Sequence, residues 1–92
     1  MKTGEGFVYI WRDNKRNLYY IGSHMGSLYD GYVGSNARLK ATYNARPETM
    51  KRRILEHYYN ISSKELRNIE QAWLSLIKDE ELHGVRYLNE KK

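Results

Sequence analysis

With no cysteine among its 92 residues, the chain must do any chemistry with oxygen and nitrogen side chains. A disulfide scaffold, a cysteine-ligated zinc site, an iron–sulfur cluster and a cysteine nucleophile are all excluded. Glu70 is the most informative position. It sits in a segment whose Leu66, Ile69, Trp73, Leu74, Leu76 and Ile77 recur at helical spacing and form one apolar stripe. Glu70 falls inside that stripe, between Leu66 and Ile77, while Glu65, Arg67 and Gln71 fall to its sides. A carboxylate on a core-facing stripe is expensive unless it is paired, hydrogen-bonded or metal-bound. Two readings follow. Glu70 is a stripe-edge residue whose stem packs and whose head reaches water, or it is a metal-binding or acid–base carboxylate facing a cleft. His24 is a second candidate, because an imidazole in a loop can act as a base or donate to a phosphate. Tyrosine is a third. Nine tyrosines stand against one phenylalanine, and a buried phenol needs a partner that a purely structural ring would not.

The charge points the same way as the side chains. The chain carries 16 basic and 11 acidic residues, for a net charge of +5. Residues 1–46 hold seven basic and three acidic residues, net +4, while residues 47–92 hold nine and eight. The excess sits in the N-terminal half, as expected of a surface facing phosphates. Lys51, Arg52 and Arg53 form a basic triplet, read either as phosphate contacts or as a solvated strand edge. No run of about 18 apolar residues is present, and the start of the chain lacks the apolar stretch of a signal peptide. These features predict an intracellular, nucleic-acid-associated protein with no membrane partner.

The elements that must position these residues read as a single α+β domain over 1–92. Phe7-Val8-Tyr9-Ile10-Trp11 and Leu18-Tyr19-Tyr20-Ile21-Gly22 are strand-like and flank a polar turn cluster. They form a hairpin. A four-residue loop, Asp13 to Arg16, would pair Arg12 with Asn17 and set Tyr9 directly opposite Tyr20. A glycine- and serine-rich loop follows, long enough to carry function. Ser35 or Asn36 caps a helix to about Asn44, which Pro47 stops. Residues 50–59 fit either helix or strand, and a third strand is the preferred reading. Ser62-Ser63-Lys64-Glu65 is a capping-box pattern opening a helix to about Lys78. A short segment, Gly84 to Asn89, closes the domain before a charged tail.

In this order the residues resemble the GIY-YIG nuclease superfamily, and its homing-endonuclease branch most of all. Phe7-Val8-Tyr9 and, ten residues on, Tyr20-Ile21-Gly22-Ser23 resemble the paired GIY and YIG elements. Phe7-Val8 departs from Gly-Ile, and Tyr9 is kept. The segment Asn36 to Tyr43 takes the place of the arginine-bearing helix. Glu70-Gln71-Ala72-Trp73 resembles the metal-binding glutamate and its trailing aromatic, and Asn89 the closing asparagine. The resemblance covers residues 6–90. It implies a three-stranded antiparallel sheet flanked by helices, and hydrolysis of DNA phosphodiester bonds with Mg²⁺ or Mn²⁺.

Site roles follow from the resemblance residue by residue. Tyr9 is the base or base relay for water, which a phenol can serve near pH 7 only beside positive charge or a metal-bound water. Tyr20 hydrogen-bonds the water or the phosphate. Arg38 holds the phosphate through its planar fork, with Thr42 beside it where several relatives carry a histidine. Glu70 binds the metal, and Asn89 orients Glu70 or nearby backbone. His24 joins the catalytic set. Lys40, Arg46, Lys15 and Arg16 are the expected nucleic-acid contacts, with Lys40 and Arg46 also able to replace Arg38. His57, His83, Trp11 and Trp73 are read as structural. The branch usually joins such a domain to a separate DNA-recognition region, so a specificity domain or partner protein is expected in addition. The rival expectations are a DNA-binding module of this fold without catalysis, and a catalytic subunit that needs its partner.

Overall fold

Strand β1, Thr3–Asp13, carries the aromatic and β-branched run and takes the central place in the sheet. The computed structural model describes residues 2–90; Met1 and the Lys91-Lys92 end of the expected domain lie outside them. Strand β2 is Leu18–Met25 and strand β3 is Met50–Ser62. The order is β2-β1-β3, and both pairings are antiparallel. Helix α1 is Ala37–Ala45 and helix α2 is Ser63–Leu74. Short 3-10 turns occupy Pro47–Thr49 and Asp79–Glu81. The α+β fold class with three antiparallel strands is therefore the observed one. No helix of the described residues is long and apolar enough to cross a membrane.

Because β1 is paired on both sides, its side chains alternate into two cores. On one face Val8 joins Ile21, Ile61, Leu66, Leu74, Ile77 and Leu82, with α2 as the cover. On the other, Phe7, Tyr9 and Trp11 join Leu39 of α1, Met50 and Leu88. The caps act as their sequences suggest. Asn36 accepts from the Leu39 amide at 3.1 Å. Ser62 and Glu65 form a reciprocal capping box, with bonds of 3.1 and 3.2 Å.

Three expectations need correction. Strand β1 starts at Thr3, four residues before the aromatic run. Helix α2 ends at Leu74 and not near Lys78. The chain there tightens to short-range bonds, Leu76 amide to Trp73 carbonyl and Ile77 amide to Leu74 carbonyl. That turn keeps Ile77 in the core and puts Leu76 outside, at 73% exposure. The hairpin register also differs. Asp13 pairs with Leu18, Trp11 with Tyr20, and Tyr9 with Gly22. The loop is Asn14 to Asn17, closed by the Asn17 amide on the Asp13 carbonyl at 2.8 Å, with Asn17 in the left-handed region. The shift is by two residues in pairing, so each side chain keeps its face.

Asp13 anchors the end of the hairpin in this register. Its carboxylate is fully buried and accepts the Lys15 amide at 3.0 Å, the Thr49 hydroxyl at 3.0 Å and the Arg46 guanidinium at 2.5 Å. This corrects the reading of Arg46 as a nucleic-acid contact. Its charge is spent under the hairpin. Burial opposes ionisation of Asp13, but Arg46, Thr49 and the Lys15 amide outweigh it and hold the carboxyl below its usual range.

The C-terminal segment covers part of the free edge of β2. Tyr19 donates its amide to Arg86 and accepts from the Leu88 amide, a parallel bridge centred on Tyr87. Next along, Asn89 clamps Ile21 with both ends of its amide, at 3.0 Å to the backbone nitrogen and 2.8 Å to the oxygen. A side chain thus supplies what a neighbouring strand would. The cover stops there, and β2 is open from Gly22 onward. Replacing Asp13 by Ala is expected to cost about 3 kcal/mol, because it leaves the partly buried Arg46 charge without its partner; urea denaturation of the variant against wild type measures it.

Candidate active site

The open edge of β2 is where both faces of the sheet can reach one space. Two adjoining clefts lie along it, of about 290 and 670 Å³. Tyr20, Ser35 and Glu70 line both. Tyr9, Gly22, His24 and Tyr32 approach the smaller cleft from the α1 face, and Ser23, Leu66 and Arg67 from the α2 face.

Tyr9 is the deepest group, at 2% exposure. Its ring lies 6.3 Å from that of Tyr20, nearly parallel, and 6.4 Å from Tyr32, edge-on. The expected Tyr9–Tyr20 neighbourhood therefore exists, but on the diagonal. The residue directly opposite Tyr9 is Gly22, and the contact explains the glycine. A methyl group at Gly22 would lie 2.5 Å from the Tyr9 hydroxyl and 2.9 Å from the Tyr20 ring. Gly34 clears the other side, where a methyl would lie 3.2 Å from the same hydroxyl and collide with Leu39.

Glu70 reaches the cleft from α2. It is half-buried, and Oε1 accepts the Ser23 hydroxyl at 2.7 Å. That is its only hydrogen bond among the described residues, and no cation pairs with it there. The placement matches the stripe-edge reading of Glu70 and the cleft-facing part of the other. Its stem belongs to the stripe of α2, and its head lies at the stripe's edge in a cleft. Trp73, one turn on, is half-buried and ties α2 to β3 through its indole on Glu56 at 2.5 Å.

The remaining candidates divide. His24 lines the cleft, stacked on Tyr32 at 3.7 Å, with its Nε2 on Asp30 at 2.7 Å. His24 and the Tyr32 amide hold the Asp30 carboxyl below its usual range. Asn89 lines the larger cleft, and its amide is committed to Ile21, between Tyr20 and Gly22. It positions backbone, one of the two roles expected of it. Arg38 does not line either cleft. Its guanidinium donates to the His83 carbonyl at 2.9 Å and lies 3.9 Å from Glu90, at the rim. The arginine that does line the smaller cleft is Arg67, an exposed residue of α2 that sequence reasoning passed over. Its signal was its place three residues before Glu70, one turn away on the same helix. Ser23 is visible in the sequence only as part of the Tyr20-Ile21-Gly22-Ser23 motif. Its partnership with Glu70 needed the helix to cross the strand.

Lys40 is exposed, beside Tyr32 and Tyr43. Lys15 and Arg16 are exposed on the hairpin turn, several residues along the strands from the cleft. The basic triplet splits. Lys51 and Arg53 are exposed, whereas Arg52 holds the glycine-rich loop through the Leu28 carbonyl at 2.6 Å and lies over the Phe7 ring.

Burial pushes the Tyr9 phenol far above its ordinary range, with Tyr20, Tyr32 and Glu70 adding to it and Arg52 opposing. Burial, then Glu70, Tyr32 and Glu90, push Tyr20 up to about 12. Both are neutral hydroxyls at pH 7, able to donate and accept, and Tyr9 is no free base in this field. Comparison with protein-family models, curated proteins and solved structures finds no match to this chain.

Two outcomes are expected. A phenol protonated more tightly in the fold than in the unfolded chain makes the folded state bind more protons above pH ~10. Stability should therefore be intact below pH 10 and fall from there through about 12. Tyr20→Phe should flatten that fall in denaturation curves taken across the range. Gly22→Ala should displace the Tyr9 ring and cost about 1–3 kcal/mol by overpacking; a thermal melt and the Tyr9 ring resonances report it.

Proposed function

We propose that this protein is a divalent-metal-dependent phosphodiester hydrolase acting on DNA, of the GIY-YIG type. The observation that supports it is the convergence of Tyr9, Tyr20, His24, Arg67 and Glu70 on one cleft at an open strand edge. The net charge of +5 and the exposed Lys40, Lys15 and Arg16 suit a polyanionic substrate.

The residues fit a hard cation. Glu70 has one oxygen oriented by Ser23 and no competing cation among the described residues. No group of three or more potential ligands occurs among those residues. A single carboxylate suits Mg²⁺ or Mn²⁺, since Mg²⁺ keeps several waters and takes substrate oxygens for the rest. Bound at Glu70, such an ion would supply charge stabilisation to the phosphate and to the leaving 3′ oxygen.

The chain's own residues do the rest. Arg67 holds the phosphate by charge-assisted hydrogen bonds from the helix that carries Glu70. It takes the role that the resemblance gave to Arg38, which is turned to the His83 carbonyl. Tyr20 orients the water or a phosphate oxygen. Tyr9 keeps its proton and orients the attacking water, accepting a hydrogen bond from it through the phenol oxygen, and the proton that the water loses passes to solvent in the open cleft. His24, held by Asp30, stands on the other wall to donate to the phosphate. Asn89 keeps the Tyr20–Gly22 backbone in place. A separate specificity domain or partner selects the target, and the protein acts within the cell.

The test is nicking of supercoiled plasmid. Wild type is expected to nick with Mg²⁺ and not with EDTA. Glu70→Ala should abolish this. Tyr9→Phe and Arg67→Ala should each lower the rate about 100-fold or more, and Arg38→Ala should lower it far less. Nicking by Glu70→Ala at the wild-type rate would refute the reading. DNA binding without nicking by the folded wild type would favour the non-catalytic module.

A further inference from the structure

A second aromatic hollow adjoins the cleft and has no part in the chemistry above. It is about 330 Å³ and is lined by Trp11, Tyr29, Tyr32, Tyr43 and Arg52. Tyr32 is shared. One side of its ring meets Tyr9 in the cleft, and the same residue walls the hollow. A third depression brings Lys40 against Tyr32 and Tyr43 from α1.

Tyr29 is the unusual residue here. The residue is 92% exposed, the most of any large hydrophobic residue among those described. It does not sit on a slack loop. Arg52 holds the Leu28 carbonyl at 2.6 Å, Trp11 donates its indole N–H to the Val33 carbonyl at 2.9 Å, and Asp30 accepts the Tyr32 amide at 3.0 Å. Three anchors, on either side of Tyr29, hold out a ring that packs on nothing. An exposed aromatic on a braced loop, at an aromatic hollow whose Tyr32 and Tyr43 also line the depression that holds Lys40, suits a flat ring attached to an anion.

We infer that this hollow binds an unpaired nucleobase of the substrate strand. The base stacks on Tyr29 and the half-buried Tyr43, with the buried Trp11 also lining the hollow, and Lys40 takes its phosphate. Stacking of this kind tolerates any base, because every base has a π-face. A base inside a duplex cannot enter, so the preferred substrate is single-stranded or locally unpaired DNA next to the cleavage position. The inference rests on the proposed nucleic-acid substrate, but not on cleavage.

The experiment is equilibrium binding in EDTA, by anisotropy of a labelled short single-stranded oligodeoxynucleotide and of the same sequence as a duplex. Wild type should bind the single strand more tightly than the duplex. Tyr29→Ala should weaken single-strand binding about 5- to 150-fold, while leaving duplex binding unchanged. Tyr29→Phe should bind as wild type does, since the ring and not the hydroxyl does the stacking. Lys40→Ala should weaken binding to both forms and reduce the salt dependence. The inference is overturned if Tyr29→Ala binds the single strand as wild type does, or loses both forms equally. The hydrolase reading fails separately, through absence of metal-dependent nicking by wild type. Tyr29 is exposed, so its variants should fold, and circular dichroism checks that they do.

Discussion

The central strand must bury both of its faces, and a phenol stands in the middle of it. That constraint organises the rest of the molecule. Phe7, Val8 and Tyr9 are almost wholly excluded from water, pointing alternately into two cores. The apolar neighbours cost nothing in this position, but Tyr9 brings a polar tip that must not be sealed in without partners. The fold resolves this by leaving room at the tip. Gly22 and Gly34 remove the side chains that would fill it, and Tyr20 and Tyr32 wall it with rings that have hydroxyls of their own. The cleft is thus the unfilled end of a core, not a dent in the surface.

The second requirement is an edge. Tyr9 and Glu70 belong to opposite faces of the sheet and can share a space only where the sheet stops. The C-terminal segment closes the edge of β2 as far as Ile21, with the Asn89 amide standing in for a strand. Beyond it the edge is open, Ser23 reaches Glu70 around it, and the clefts form. An uncovered strand edge is ordinarily a liability. Here the length left open is short and lies beside the groups that would do chemistry.

Charge is partitioned between structure and site. Arg46 and Arg52 look like phosphate ligands in the sequence, yet one neutralises Asp13 under the hairpin and the other holds loop carbonyls. The cleft itself is poor in positive charge. Burial of the rings, with Glu70 nearby, keeps Tyr9 and Tyr20 protonated, so the cleft presents neutral hydroxyls beside a carboxylate whose one hydrogen bond among the described residues is to Ser23.

What the sequence determined by itself was local. The aromatic run of β1, the cap at Asn36, the stop at Pro47 and the Ser62–Glu65 box each depend on neighbours within a few residues, and each forms as its residues dictate. The anomaly of Glu70 was legible for the same reason, since helical spacing alone places it on a stripe where a carboxylate is costly. Tertiary structure decided what depends on distant partners. The hairpin pairs Tyr9 with Gly22, and its Asp13 end is bonded to Thr49 and Arg46, more than 30 residues away. Helix α2 stops at Leu74, where the bonds tighten to Leu76 on Trp73 and Ile77 on Leu74, and Ile77 joins a core shared with the distant Val8 and Leu82. Arg38 lies outside the clefts on a carbonyl at His83, whereas Arg67 of α2 is among the residues that line the smaller one. Residue type announces what a side chain can do. Only the packing of remote segments settles which group is spent on the fold and which faces open space.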